Sequence, residues 1–178
     1  MDILSDDGAL ALEMAAAEAD PDSLGAAERM RRRFPPELAA AALTQVALRR
    51  RAREKLPMAD RMFFTPDGLE QATRWVVARW RAARFVEAGV SDVWDLGCGI
   101  GVDAMAFAEA GLGVHAVESD PATAVLARAN LALAGGGKVT VGRAEDARVP
   151  EGCGIFLDPA RRTARGRTWD VADLTPPW

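Results

Sequence analysis

Asp95-Leu96-Gly97-Cys98-Gly99-Ile100-Gly101 is the stretch that decides the fold. The short apolar run Val90-Ser91-Asp92-Val93-Trp94 precedes it, and the helix-like Val102-Asp103-Ala104-Met105-Ala106-Phe107-Ala108 follows. A buried strand, a glycine-rich turn and a helix in that order make a place where backbone can approach a ligand closely. A Cβ at Gly97, Gly99 or Gly101 would fill the space the ligand needs. Asp95, two residues before the first glycine, repels a phosphate and attracts an ammonium. The turn therefore points away from a nucleotide phosphate and toward S-adenosylmethionine, whose methionine end carries an amino group.

Spacing tells against the phosphate-binding alternatives. A dinucleotide fingerprint needs glycine or alanine where Val102 stands, and a Walker-type loop needs a Gly-Lys-Ser/Thr ending that is missing here. Downstream, Val114-His115-Ala116-Val117 reads as a second strand ending in Glu118, at the distance where a second βα unit places a carboxylate on ribose hydroxyls. Asp120-Pro121 then opens a helix, with Asp120 as cap and Pro121 in the first helical position. A third strand, Lys138-Val139-Thr140-Val141, leads to Glu145 and Asp146. Asp146, with Glu145 in reserve, suits a hydrogen bond from an exocyclic adenine amine. The fourth strand, Gly154-Ile155-Phe156-Leu157, ends in Asp158-Pro159-Ala160-Arg161-Arg162. Acids and a glycine turn thus collect at one edge of a presumed parallel sheet, the edge at which open α/β sheets bind ligands. His115 lies within a strand pattern and is given no catalytic role.

From about Thr65 onward the chain resembles the class I S-adenosylmethionine-dependent methyltransferases. Asp95 to Gly101 looks like the first motif of that family, Val117-Glu118-Ser119-Asp120-Pro121 like its ribose segment, and Asp146-Ala147 like its adenine segment. The resemblance implies an α/β, Rossmann-like sheet with S-adenosylmethionine held by Asp95, Gly97, Cys98, Gly99, Gly101, Glu118 and Asp146. A narrower likeness rests on Phe63-Phe64-Thr65-Pro66-Asp67-Gly68-Leu69-Glu70-Gln71-Ala72-Thr73, on Leu157 to Arg162 and on Thr175-Pro176-Pro177-Trp178. These segments are similar to bacterial methyltransferases carrying a THUMP-like domain, in which a helical segment precedes the methyltransferase fold. THUMP-type domains are associated with RNA.

The composition is that of an ordinary globular chain: 178 residues, 49% apolar, net charge −4. Cys98 and Cys153 have neither metal-ligand nor disulfide-framework spacing, and read as packing residues in a reducing cytoplasm. The amino terminus is acidic, unlike a signal peptide, and no apolar run is long enough to span a bilayer. Residues 1–64 read as a helical domain with helices near Gly8–Ala15, after Asp22-Ser23, and from Pro36 to about Lys55. Residues 65–178 read as the methyltransferase domain. Its opening helix, capped by Thr65, runs through Trp75, Val76, Trp80 and Phe85 to Gly89. Trp75 and Trp80 are read as packing that helix on the sheet, with an aromatic platform for bases as the other reading.

Arg29, Arg31, Arg32 and Arg33, then Arg49, Arg50, Arg51, Arg53 and Lys55, follow an acidic beginning. Such a switch can mark an RNA surface, or it can place cations at helix carboxyl ends, where they complement the helix dipole.

Enzymes that methylate exocyclic amines carry Asp/Asn-Pro-Pro-aromatic after the fourth strand, whereas here Ala160 and Arg161 fill the last two positions. Asp-Pro-Ala-Arg is closer to the uridine-carbon methyltransferases of RNA, which add a cysteine nucleophile further on. No cysteine follows Cys153. Asp158 is the catalytic candidate, able to orient or deprotonate a nucleophile. Pro159, Arg161 and Trp178 are the substrate-side residues, although Thr175 to Trp178 reads better as a rigid turn than as a flap over the pocket. A class I sheet has seven strands and the sequence pattern supplies four, so the expectation is a sheet truncated after the fourth strand and weak or inactive alone. The leading reading is an RNA methyltransferase. The alternatives are a protein or small-molecule methyltransferase and a non-catalytic methyltransferase-like binding module.

Overall fold

A computed structural model describes residues 3–158, with the short strands Arg162–Thr163 and Gly166–Arg167. The chain divides between Phe64 and Thr65 into two compact units.

The first unit holds α1 (Asp6–Ala16), α2 (Leu24–Arg31) and α3 (Pro36–Ala52). Ser5 and Ser23 cap the first two, each accepting from the backbone N–H three residues on. Pro36 opens the third, where its missing N–H costs nothing. Ala11, Leu12, Ala15, Ala26, Met30, Leu38, Ala39, Ala42, Leu43 and Val46 form the core, whose many alanines let the helices approach closely. Buried Gln45 takes Phe64 by both backbone groups: its Nε2 donates to the Phe64 carbonyl at 2.7 Å and its Oε1 accepts the Phe64 N–H at 2.9 Å.

The second unit begins with α4 (Pro66–Gln71) and α5 (Trp75–Glu87), followed by β1 (Asp92–Leu96), α6 (Val102–Glu109), β2 (Gly113–Glu118), α7 (Pro121–Ala132), β3 (Lys138–Val141) and β4 (Gly154–Phe156). The four strands form a parallel sheet in the order β3-β2-β1-β4. β5 (Arg162–Thr163) and β6 (Gly166–Arg167) form a separate antiparallel pair that the sequence pattern did not announce. Val93 and Asp95 of β1 pair with Val114 and Ala116 of β2 and point to the same face. Phe107 of α6 binds that face together by edge-to-face contacts with Phe85 of α5 at 5.2 Å and Phe156 of β4 at 5.5 Å. On the other face Trp94 stacks on His115 with ring centres 5.0 Å apart.

Two sequence expectations need correction. The helix read as continuous from Thr65 to Gly89 is broken: Ala72 turns extended (φ −55°, ψ 136°) and α5 restarts after Arg74. Thr73, in the break, donates its hydroxyl to Asp103 Oδ2 at 2.7 Å, a long-range bond that helical periodicity cannot show. Nor does Trp80 pack against the sheet. It is 59% exposed with the Arg84 guanidinium over its ring, while Ala78 and Ala82 occupy the buried face of α5.

Candidate functional site

In a parallel sheet ordered β3-β2-β1-β4 the chain leaves β1 in one direction for β2 and β3 and returns on its other side as β4. The switch point therefore lies between the carboxyl ends of β1 and β4, where open α/β sheets hold their ligands. The glycine turn leaves β1 at this point. Gly97 and Cys98 donate to the Val117 carbonyl at 2.9 and 3.0 Å, carrying the β1–β2 ladder into the turn, and Gly101 donates back to Cys98 at 2.9 Å. Gly97, Gly99 and Gly101 all have positive φ. At Gly101 (φ +86°) a Cβ would meet Ala127 of α7 at ordinary contact distance, 3.4–3.6 Å, so it is the left-handed backbone that calls for glycine there. At Gly99 a Cβ would project into open space. Fully buried Asn130, one helical turn after Ala127, donates its Nδ2 to the Ile100 carbonyl at 2.9 Å. Sequence reasoning missed this contribution of α7 to the turn, because an asparagine in a helix announces no partner.

Asp95 lies beneath the turn and is 2% exposed. It accepts from the Ala104 N–H in the first turn of α6, where the cap residue Gly101 has no side chain to offer. Among the described residues its Oδ2 has no partner. Burial pushes its pKa well above the ordinary carboxylate range, and repulsion from Asp103, Asp158 and Glu118 adds to the effect. Burial, followed by repulsion from Asp95 and Glu118, likewise pushes the Cys98 thiol up, which disfavours its thiolate.

Glu118 at the end of β2 has its orientation set by the chain: Oε2 accepts from the Gly99 N–H at 2.9 Å, and Oε1 from the Asp120 N–H at 2.9 Å and the Ser119 hydroxyl at 3.2 Å. A carboxylate has about four acceptor positions, so one is left over and the weak Ser119 bond is exchangeable. Asp120 caps α7 as expected, accepting from the Thr123 N–H at 2.8 Å. Glu145 pairs with Arg143 at 2.7 Å, whereas Asp146 is exposed and has no side-chain hydrogen bond within the described residues.

Asp158, two residues past β4, meets Arg81 Nη2 at 3.2 Å. The same guanidinium donates from Nη1 to Asp103 Oδ1 at 3.0 Å and to Thr73 Oγ1 at 3.1 Å, and lies 4.9 Å over the Phe156 ring. Burial opposes the charge of Arg81, but Asp103 and Asp158 more than compensate, so its pKa rises above the ordinary arginine value. No motif announces this Thr73–Arg81–Asp103–Asp158 network, whose members are up to 85 positions apart in the chain. Pro159, Arg161 and Trp178 lie outside the described residues.

Half of the amino-terminal arginine clusters has internal partners. Arg29 makes a two-pronged pair with Glu18, Arg50 donates to carbonyls at the end of α1, Arg53 pairs with Asp60, and Arg49 donates to Met62 and covers Phe63. Arg31, Arg32, Arg33, Arg51 and Arg61 are exposed. Among the described residues no group of three or more metal-ligating side chains comes together, and no helix is long and apolar enough to cross a membrane.

Residues 2–52 match a family described as a domain of unknown function, DUF8688. The chain is 37% identical over 138 residues to an uncharacterised S-adenosylmethionine-dependent methyltransferase of Mycobacterium tuberculosis, found in strains CDC 1551 / Oshkosh and ATCC 25618 / H37Rv. That match takes in 72% of this chain and 37% of the relative, so the chain spans well under half the length of the proteins it matches. A Porphyromonas gingivalis W83 crystal structure assigned to the methyltransferases superposes on 94% of this chain and 44% of its own, with TM-score 0.62 and 24% identity. The second unit thus has the Rossmann-like fold of the class I methyltransferases.

Proposed function

We propose that the chain is the cofactor-binding part of an S-adenosylmethionine-dependent methyltransferase. The observation that carries this reading is the buried Asp95 carboxylate with its unpartnered Oδ2 beneath the glycine turn. A fully desolvated carboxylate oxygen that no described residue meets is costly unless a cation arrives to meet it. In this reading Asp95 receives the ligand's ammonium, Glu118 its ribose hydroxyls and Asp146 its adenine amine, while Gly97, Cys98, Gly99 and Gly101 let the backbone come close. The cofactor supplies, when bound, a methyl group activated by the sulfonium that carries it. What remains for the protein is alignment, the main source of rate when the leaving group is already good. Asp158, exposed at the same edge, is the group proposed to orient the acceptor.

The acceptor we propose is RNA, supported by the exposed Arg31, Arg32 and Arg33 and by the THUMP-like sequence likeness. Phosphate contacts make affinity fall steeply with salt, so RNA binding that does not vary with ionic strength would remove this part of the proposal. A reducing, cytoplasmic setting fits the two free cysteines. Calorimetric titration of S-adenosylmethionine and S-adenosylhomocysteine into the chain, beside Asp95→Ala and Glu118→Ala, tests the cofactor reading. Binding weakened by both substitutions supports it, and binding indifferent to both removes it.

A further inference from the structure

We infer that Arg81 is the anchor for the carboxylate of the ligand's amino-acid end. The inference rests on the cofactor reading above and adds a residue to it. An amino-acid end is a zwitterion, and a site built only of acids would attract its ammonium while repelling its carboxylate. The strand ends carry Asp95 and Glu118, with Asp103 and Asp158 close enough to act on Asp95. Arg81 is the cation bonded into this group of acids. It joins Asp103, the second residue of α6, to Asp158 past β4, so it bridges the two sides of the switch point at the end of the strand that carries Asp95.

The guanidinium is prepared for an anion. Thr73, Asp103 and the Phe156 ring fix it from α6, β4 and the connector before α5, so little rotamer freedom is left to lose on binding. The three described bonds use three of the five N–H donors of an arginine: two on Nη1 and one on Nη2. The Nη2 bond is the longest, at 3.2 Å, and its partner Asp158 has a side chain 58% exposed. That edge of the guanidinium therefore lies at the carboxyl ends of the strands with a donor that no described residue takes and a weakly held competitor. The Arg81 side chain is itself 26% exposed and reachable from solvent.

The test pairs a change in the protein with a change in the ligand. S-adenosylmethionine and its decarboxylated form, which lacks only the carboxylate, are titrated by calorimetry into the 178-residue chain and into Arg81→Met and Arg81→Lys. The wild type is expected to prefer the carboxylate-bearing ligand by about 10- to 100-fold, the value of a charge-assisted bond. Arg81→Met should erase that preference by weakening S-adenosylmethionine alone, and Arg81→Lys should restore part of it. Unchanged affinity of the decarboxylated ligand shows in the same experiment that the variant is folded. A preference that survives Arg81→Met, or an equal loss of both ligands in Arg81→Met and Arg81→Lys, overturns the inference and leaves the cofactor reading standing. If neither ligand binds the wild type, both fall.

Discussion

Replacing Asp95 by Asn separates what this acid does to the fold from what it does for a ligand. In the folded chain its Oδ2 is buried without a partner, and burial with like-charge repulsion holds its pKa well above the ordinary value. The folded acid therefore holds its proton more tightly than the unfolded one, whose pKa is about 3.9. Its contribution to stability is fully present below that value and is lost as pH rises through the higher folded value. At alkaline pH the unpaired carboxylate is thus a burden on the fold. Asparagine keeps the shape and an oxygen for the Ala104 N–H, leaving a neutral amide where a charge stood. A buried unsatisfied neutral group costs about 1–3 kcal/mol and a charged one more, so Asp95→Asn should gain roughly 1–2 kcal/mol at about pH 8. For a unit of this size that is about 3–8 °C in melting temperature. The same substitution should weaken S-adenosylhomocysteine binding about 10- to 100-fold, because the ammonium loses an ionic acceptor. The wild type should also release a proton on binding, visible as a dependence of calorimetric enthalpy on the buffer, and the variant should not. Thermal melts across pH and buffer-varied calorimetry check the set. An Asn variant that melts below wild type at alkaline pH, or binds with unchanged affinity, refutes the reasoning.

Gly101→Ala forces a left-handed conformation (φ +86°) on a residue that carries a Cβ, and should cost about 1–2 kcal/mol with a parallel loss of ligand affinity. Paired melting and titration curves read both effects. Gln45→Leu leaves the Phe64 N–H and carbonyl without their side-chain partner and should cost about 2–4 kcal/mol, a large share of what a 64-residue unit has. Loss of helical circular dichroism at lower temperature checks it, and an unchanged melt would mean that water or another group satisfies Phe64.

The sequence by itself determined the four strands of the parallel sheet, the helices α6 and α7 between them, and the glycine turn on which the candidate site is built. Asp95 to Gly101 announced strand, turn and helix because glycine is what permits the positive φ values found at all three of its glycines. Thr65, Asp120 and Pro121 marked helix starts because capping is local chemistry, decided within three or four residues. Lys138–Val141 was legible as a strand for the same reason. The tertiary structure decided what depends on distant partners. The break at Ala72–Arg74 belongs with Thr73 reaching Asp103, and Trp80 faces solvent because the alanines of α5 take the buried side. Of the arginines that read either as an RNA surface or as cations at helix carboxyl ends, Arg29, Arg49, Arg50 and Arg53 are tied to carbonyls and carboxylates of their own unit. Arg81 and Asn130 carry no motif at all, and their roles come from bonds to residues 22 and 30 positions away. A local signal survives in one dimension because its cause is local; a group assembled by chain crossings becomes visible only once the crossings are made.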